Sequence, residues 1–138
     1  MKEKIRILSM ALCIVITYSN IVYSMDTNDA IDREFYVKSD GAELYIKVRG
    51  QGINKPVLLY LHGGPGEVNG PLLFQAYAGP ELEKYFVVGY LHQRNTCMSP
   101  EAPVKTLTIK QYVEDVDNIV KFLRFIFKLL FKAYKCRS

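Results

Sequence analysis

Histidine and cysteine are scarce in this chain of 138 residues, which holds two of the first and three of the second. His62 and His92 are the only histidines, and no cysteine falls at a metal-ligand spacing. The sequence therefore predicts neither a metal site nor a disulfide framework. No internal repeat and no low-complexity tract occurs, and the length allows one domain at most. Large charge of one sign is missing too. The formal net charge is +4, but residues 1–24 carry +2, residues 125–138 carry +4, and the 25–124 body is left at −2. A mildly acidic body between basic ends gives no footprint for nucleic acid. The glycines at 63, 64, 66 and 70 do not follow G-x-G-x-x-G, and no Lys-Ser or Lys-Thr follows them, which excludes a dinucleotide or phosphate loop of the usual kind.

What is present begins with an N-terminal targeting pattern over residues 1–24. Lys2, Lys4 and Arg6 precede the apolar "ILSMALCIVIT", and Val22-Tyr23-Ser24 offers small residues for a signal peptidase. Cleavage would export the chain to a periplasmic or secreted location and leave Cys97 and Cys136 as its cysteines. The alternative is a membrane anchor through residues 7–24, close to the shortest length that spans a bilayer. Residues 25–34 read as a polar linker.

The body, residues 35–124, alternates strands and helices. Around Ser39-Asp40-Gly41, "REFYVKSDGAELYIKVRG" predicts a hairpin, with Leu44, Ile46 and Val48 on an apolar face and Tyr45, Lys47 and Arg49 on a wet one. "VLLYL" (57–61) and "YFVVGYL" (85–91) are nearly continuous apolar runs, as in parallel strands covered on both faces. Between them lies a weak helical pattern interrupted at Gly79-Pro80. From Thr108 onward, Ile109, Tyr112, Val113, Val116, Ile119, Val120 and Leu123 form one apolar helical stripe. Thr108 and Gln111 make a capping box. Glu114, Asp115 and Asp117 sit early in the helix, and Lys121 and Arg124 later, as the helix dipole favours. The order hairpin, strand, helix, strand, helix opens an α/β fold.

The stretch "LLYLHGGPGEVNG" gives this order a chemical direction. A loop with so little side-chain bulk lets another group approach the backbone, and its N–H groups can stabilise the charge that develops on a carbonyl oxygen in acyl transfer. A tight strand exit with no chemistry is the plainer alternative. "YLHGGPG" followed about thirty residues later by "VVGYLHQRNTCMSP" resembles the α/β-hydrolases of the proline iminopeptidase type, with an HGGPG loop and a DQRG-like motif. The resemblance runs from about Phe35 to Arg124. It implies the N-terminal part of an α/β-hydrolase fold and a cofactor-free serine hydrolase. Its expected substrates are peptides with N-terminal proline or another small apolar residue, or small acyl compounds. By position, Gly64 would offer an oxyanion-hole N–H, with Gly63, Pro65 and Gly66 shaping the loop and His62 holding it by hydrogen bonds. In the second motif His92 replaces the family's Asp, Gln93 and Arg94 match, and Asn95 stands for glycine. Asn tolerates the left-handed backbone, whereas the loss of a carboxylate at 92 leaves Arg94 needing another acceptor.

The nucleophile elbow G-x-S-x-G that such a mechanism needs does not occur in the sequence. Ser39 falls in a hairpin turn, Ser99 before a proline and Ser138 at the end. None is placed as an elbow, so the expectation is a truncated and inactive serine aminopeptidase-type hydrolase, its catalytic serine, acid and base lying beyond the chain. The alternatives are an esterase or epoxide hydrolase-like relative, a non-catalytic secreted binding protein, and a decaying gene product. Residues 125–138, "FIFKLLFKAYKCRS", change character. They read as out-of-frame sequence or as a basic amphipathic helix that touches a membrane.

Overall fold

A computed structural model of the chain describes residues 29–63 and 70–135, with side chains as far as residue 128. The expected signal segment 1–24, the loop residues Gly64, Pro65 and Gly66, and Cys136 and Ser138 lie outside the described residues. Strands β1 (Ala30–Ser39) and β2 (Ala42–Gln51) pair antiparallel along their whole length, from Ala30 opposite Gln51 to Ser39 opposite Ala42. Asp40 and Gly41 close the hairpin at φ 27° and 72°. Positive angles at both positions match a two-residue turn to the twist of its strands. β1 begins inside the stretch expected to be linker, because Ile31 is buried in the core.

Strands β3 (Val57–Tyr60) and β4 (Val87–Leu91) are parallel, β4 also pairs antiparallel with β2, and the sheet order is β1-β2-β4-β3. Helices α1 (Gly70–Tyr77) and α2 (Gly79–Leu82) connect β3 to β4, and α3 (Ile109–Lys135) follows a short 3₁₀ turn at Val104–Thr106. The break expected at Gly79-Pro80 is where α1 ends and α2 starts. Gly79 is needed there, since a Cβ would stand 2.5 Å from the Tyr90 hydroxyl.

Residues along each strand alternate between the two faces of the sheet. Leu44, Ile46 and Val48 of β2 and Val87 and Leu91 of β4 form the core with Ile119, Leu123 and Phe127 of α3. On the opposite face Phe74 of α1 stacks on Tyr60 at 3.8 Å and lies 6.4 Å from Tyr90. The result is helix, sheet, helix: the expected opening of an α/β-hydrolase-type fold.

Four local expectations are corrected. All five residues of β4 are buried, but β3 is not covered on both faces: Val57 is 41% exposed and the adjoining Leu61 44%. Among the described strands β3 is the sheet edge, so nothing flanks it on one side. The second face of β2 is not simply wet, because Tyr45 is buried edge-on against His92 at 4.8 Å. The stripe on α3 is rotated at its start. Ile109 and Val113 are 71% and 65% exposed, while Gln111, Asp115, Ile119, Leu123 and Phe127 face inward at four-residue steps. Finally, Thr108 caps the helix by accepting the Gln111 N–H at 3.2 Å, but the Gln111 amide turns to Asp115 instead of closing the box. Helix α3 itself continues unbroken past Arg124, and no described helix is long and apolar enough to cross a membrane.

Candidate functional site

Both motifs singled out in the sequence leave the carboxyl ends of adjacent parallel strands. "LHGG" follows β3 and "HQRN" follows β4. In open α/β sheets this is where ligands bind. The two loops touch through Gln93, whose side-chain amide donates to the His62 carbonyl at 2.9 Å and whose backbone N–H points to His62 Nε2 at 3.4 Å. His62 Nδ1 lies 3.4 Å from the Gly63 carbonyl. His62 is buried, and among the described residues nothing lies within 4 Å of where a Gly63 Cβ would project. The proposed donor Gly64, with Pro65 and Gly66, falls outside the described residues.

Arg94 anchors the second loop. Its side chain is fully buried, and all five of its donors are used. Nε donates to Asp115 Oδ2 at 3.0 Å, and one terminal nitrogen donates to Asp115 Oδ1 at 2.8 Å and the Ser39 carbonyl at 3.0 Å. The other donates to the Asp40 carbonyl at 3.1 Å and Thr106 Oγ1 at 3.0 Å. The acceptor that a histidine at 92 cannot provide thus comes from α3 and from the hairpin turn. Asp115 Oδ1 also accepts from the Ser39 hydroxyl at 2.6 Å and the Gln111 amide at 3.1 Å, and Asn118 donates to Ser39 Oγ at 2.9 Å. Burial pushes the Asp115 carboxyl up, but its bonds to Arg94, Ser39 and Gln111 outweigh that and hold it below the usual carboxylate range. The same pairing raises Arg94 further.

His92 plays no part in this pair. Its Nδ1 accepts the Met98 N–H at 3.2 Å, and its carbonyl accepts the Ser99 hydroxyl at 2.6 Å. Burial first, and the neighbouring His62 second, push its imidazole down to about 4. Asn95 adopts φ 58°, the left-handed conformation expected of it, and its side-chain amide pairs with both backbone groups of Ala102.

Neither described serine is free to attack. The Ser39 hydroxyl is spent on Asp115. Ser99 donates to the His92 carbonyl, not to the ring, while its Oγ accepts the Tyr45 N–H at 2.9 Å. Cys97 is exposed, and among the described residues no group of three or more His, Cys, Asp or Glu side chains could hold a metal ion. Asp115 was missed as a site residue because its helix position already had an explanation in the dipole. The signal available was its place on the four-residue ladder that includes Ile119 and Leu123.

No family model matches the chain. A curated relative, the probable aminopeptidase YbaC of Bacillus subtilis (strain 168), is 29% identical over 80 residues, which cover 56% of this chain and 24% of that protein. A solved structure, the proline iminopeptidase-related protein TTHA1809 from Thermus thermophilus, is similar with a TM-score of 0.57 and 30% identity. That match covers 67% of this chain and 32% of the other. The chain therefore spans about a quarter to a third of the length of these relatives. The fold resembles that of hydrolase-related proteins, and the distant sequence similarity supports a hydrolase-like function.

Proposed function

We propose that residues 35–124 are the N-terminal part of a serine aminopeptidase-type α/β-hydrolase domain, and that the loop 63–66 contributes half of an oxyanion hole through the Gly64 N–H. The substrates on this reading are peptides with a small apolar N-terminal residue. The observation that carries it is the junction of the two motif loops, Gln93 on His62, at the carboxyl ends of two adjacent parallel strands. The names of the two similar proteins, a probable aminopeptidase and a proline iminopeptidase-related protein, support the same direction. An oxyanion donor without a nucleophile and base does not open a peptide bond at a useful rate. The chain as given contains no G-x-S-x-G, so on this reading it is inactive by itself; the separate targeting pattern of residues 1–24 supports export with a mature N-terminus near Met25.

Two experiments test this. The full chain should neither label with a fluorophosphonate probe nor hydrolyse proline p-nitroanilide above a buffer blank. Residues 29–124, which keep the whole of β1, grafted in place of the corresponding segment of the Bacillus subtilis protein should give a chimera that does both. Gly64→Pro, which removes the N–H, should then cut turnover by roughly 10²–10³. A chimera that folds but is silent would leave a non-catalytic binding protein as the better reading.

A further inference from the structure

The two histidines of this chain make opposite demands on their rings. A backbone N–H can only donate. The Met98 N–H faces His92 Nδ1 at 3.2 Å, so that nitrogen is unprotonated and the neutral His92 ring carries its proton on Nε2. The Gln93 N–H faces His62 Nε2 at 3.4 Å, so there the unprotonated nitrogen is Nε2 and the proton sits on Nδ1. The group waiting for that proton is the Gly63 carbonyl, 3.4 Å away, which can only accept. Both contacts on His62 are long, but they agree on one tautomer, and the Gln93 amide holds the same residue by its carbonyl at 2.9 Å. Gln93 is itself fixed, because its carbonyl accepts the Thr96 N–H at 3.0 Å and the Thr96 hydroxyl at 2.7 Å, and its neighbour Arg94 is saturated.

We propose that His62 is a positioning residue, locked by Gln93 in the Nδ1–H tautomer so that its ring turns the Gly63 carbonyl toward itself. A trans peptide carries its N–H antiparallel to its carbonyl. Whatever fixes the Gly63 carbonyl therefore sets the plane to which the proposed oxyanion donor belongs. The role rests on the hydrolase reading, but the tautomer does not. Neither histidine could do the other's work: His92 presents a bare Nδ1 to a donor, and His62 presents a protonated Nδ1 to an acceptor. Gln93 makes no contact with a reacting atom on this account: its backbone N–H selects the tautomer, and its side-chain amide keeps His62 within reach of that N–H.

The full chain, without a histidine tag and with ¹⁵N-labelled histidine, has only two imidazoles to observe by long-range ¹H–¹⁵N correlation at pH 7.5. His62 should show the Nδ1–H pattern and His92 the Nε2–H pattern. Gln93→Ala keeps the backbone N–H but loses the amide that holds the His62 carbonyl against it, so the ring is released and the His62 signals should shift toward the Nε2–H form that free histidine prefers. Those of His92 should stay in place and thereby report that the fold is intact. Two Nε2–H patterns in the unmodified chain, or a His62 pattern unmoved by Gln93→Ala, would refute the proposal. If that variant does not fold, the spectrum of the unmodified chain still decides. A silent chimera with the expected tautomers would sink the hydrolase reading and leave the tautomer assignment standing.

Discussion

Replacing Asp115 by alanine deletes the only carboxylate on a fully buried guanidinium. Arg94 would keep three acceptors, the carbonyls of Ser39 and Asp40 and the hydroxyl of Thr106, and none of them is charged. Breaking one side of a buried ion pair costs about 3–5 kcal/mol, because the remaining charge stays desolvated without compensation. A whole domain is stable by roughly 5–15 kcal/mol, so Asp115→Ala should remove between roughly a fifth and all of that stability. The double replacement Arg94→Met with Asp115→Leu removes both charges. It leaves unpaired only neutral groups beside the hairpin turn, and Thr106 still donates to the Pro103 carbonyl at 2.7 Å. The double variant should therefore be more stable than Asp115→Leu alone, and with the Arg94→Met single it closes a cycle whose coupling should be about 2 kcal/mol or more. The chain has no tryptophan, so urea unfolding at pH 7 is best followed by far-UV circular dichroism. An Asp115→Ala variant within about 1 kcal/mol of the parent would refute the reasoning, as would costs that simply add.

Four further outcomes are expected. Neutral His92 is favoured by folding, so its contribution is complete above the ordinary value of 6.5 and is lost as pH falls toward about 4. The loss is up to about 3 kcal/mol, and His92→Asn, which can still accept the Met98 N–H, should flatten the fall in urea midpoint between pH 7 and 4.5. The depressed Asp115 carboxyl acts in a lower window, losing its contribution only as pH drops below 3.8. Gly79→Ala drives a methyl into the Tyr90 hydroxyl, which bonds Glu83 at 2.7 Å, and should cost about 1–3 kcal/mol by thermal denaturation. Val57→Lys places a charge on the uncovered edge, beside a groove of about 320 Å³ that Val57 lines with Leu59, Leu123 and Phe127. It should raise the monomer fraction in size-exclusion chromatography and lower the binding of hydrophobic dyes; unchanged aggregation would mean that the edge is not the sticky surface.

The hairpin, both parallel strands and the long helix were legible because each is written in a local period. Alternation at 44–49, the turn at Ser39-Asp40-Gly41 and the run from Thr108 need no knowledge of distant contacts. What failed was always non-local. The run "VLLYL" looks as apolar as the run in β4, yet coverage depends on which strands stand beside it, and among the described strands β3 has β4 on one side and none on the other. On α3 the eye follows Ile109 and Val113, while the sheet selects Gln111 and Asp115, because the buried guanidinium of Arg94 accepts only a polar partner at that level.

A buried arginine is in this sense a question asked by the sequence: five donors and an absent carboxylate at position 92 require acceptors from somewhere. The answer lies 21 residues downstream in Asp115 and 54 to 55 residues upstream in the carbonyls of Asp40 and Ser39. One side chain therefore ties the hairpin turn, the loop after β4 and the first turns of α3 into a single rigid unit. Gln93 projects from that unit onto His62. His92 offers Arg94 no carboxylate, and the arginine's charge is met across the fold instead. The order that reaches His62 accordingly depends on Asp115, Ser39 and Asp40 as well as on Gln93 and Arg94 of the motif itself.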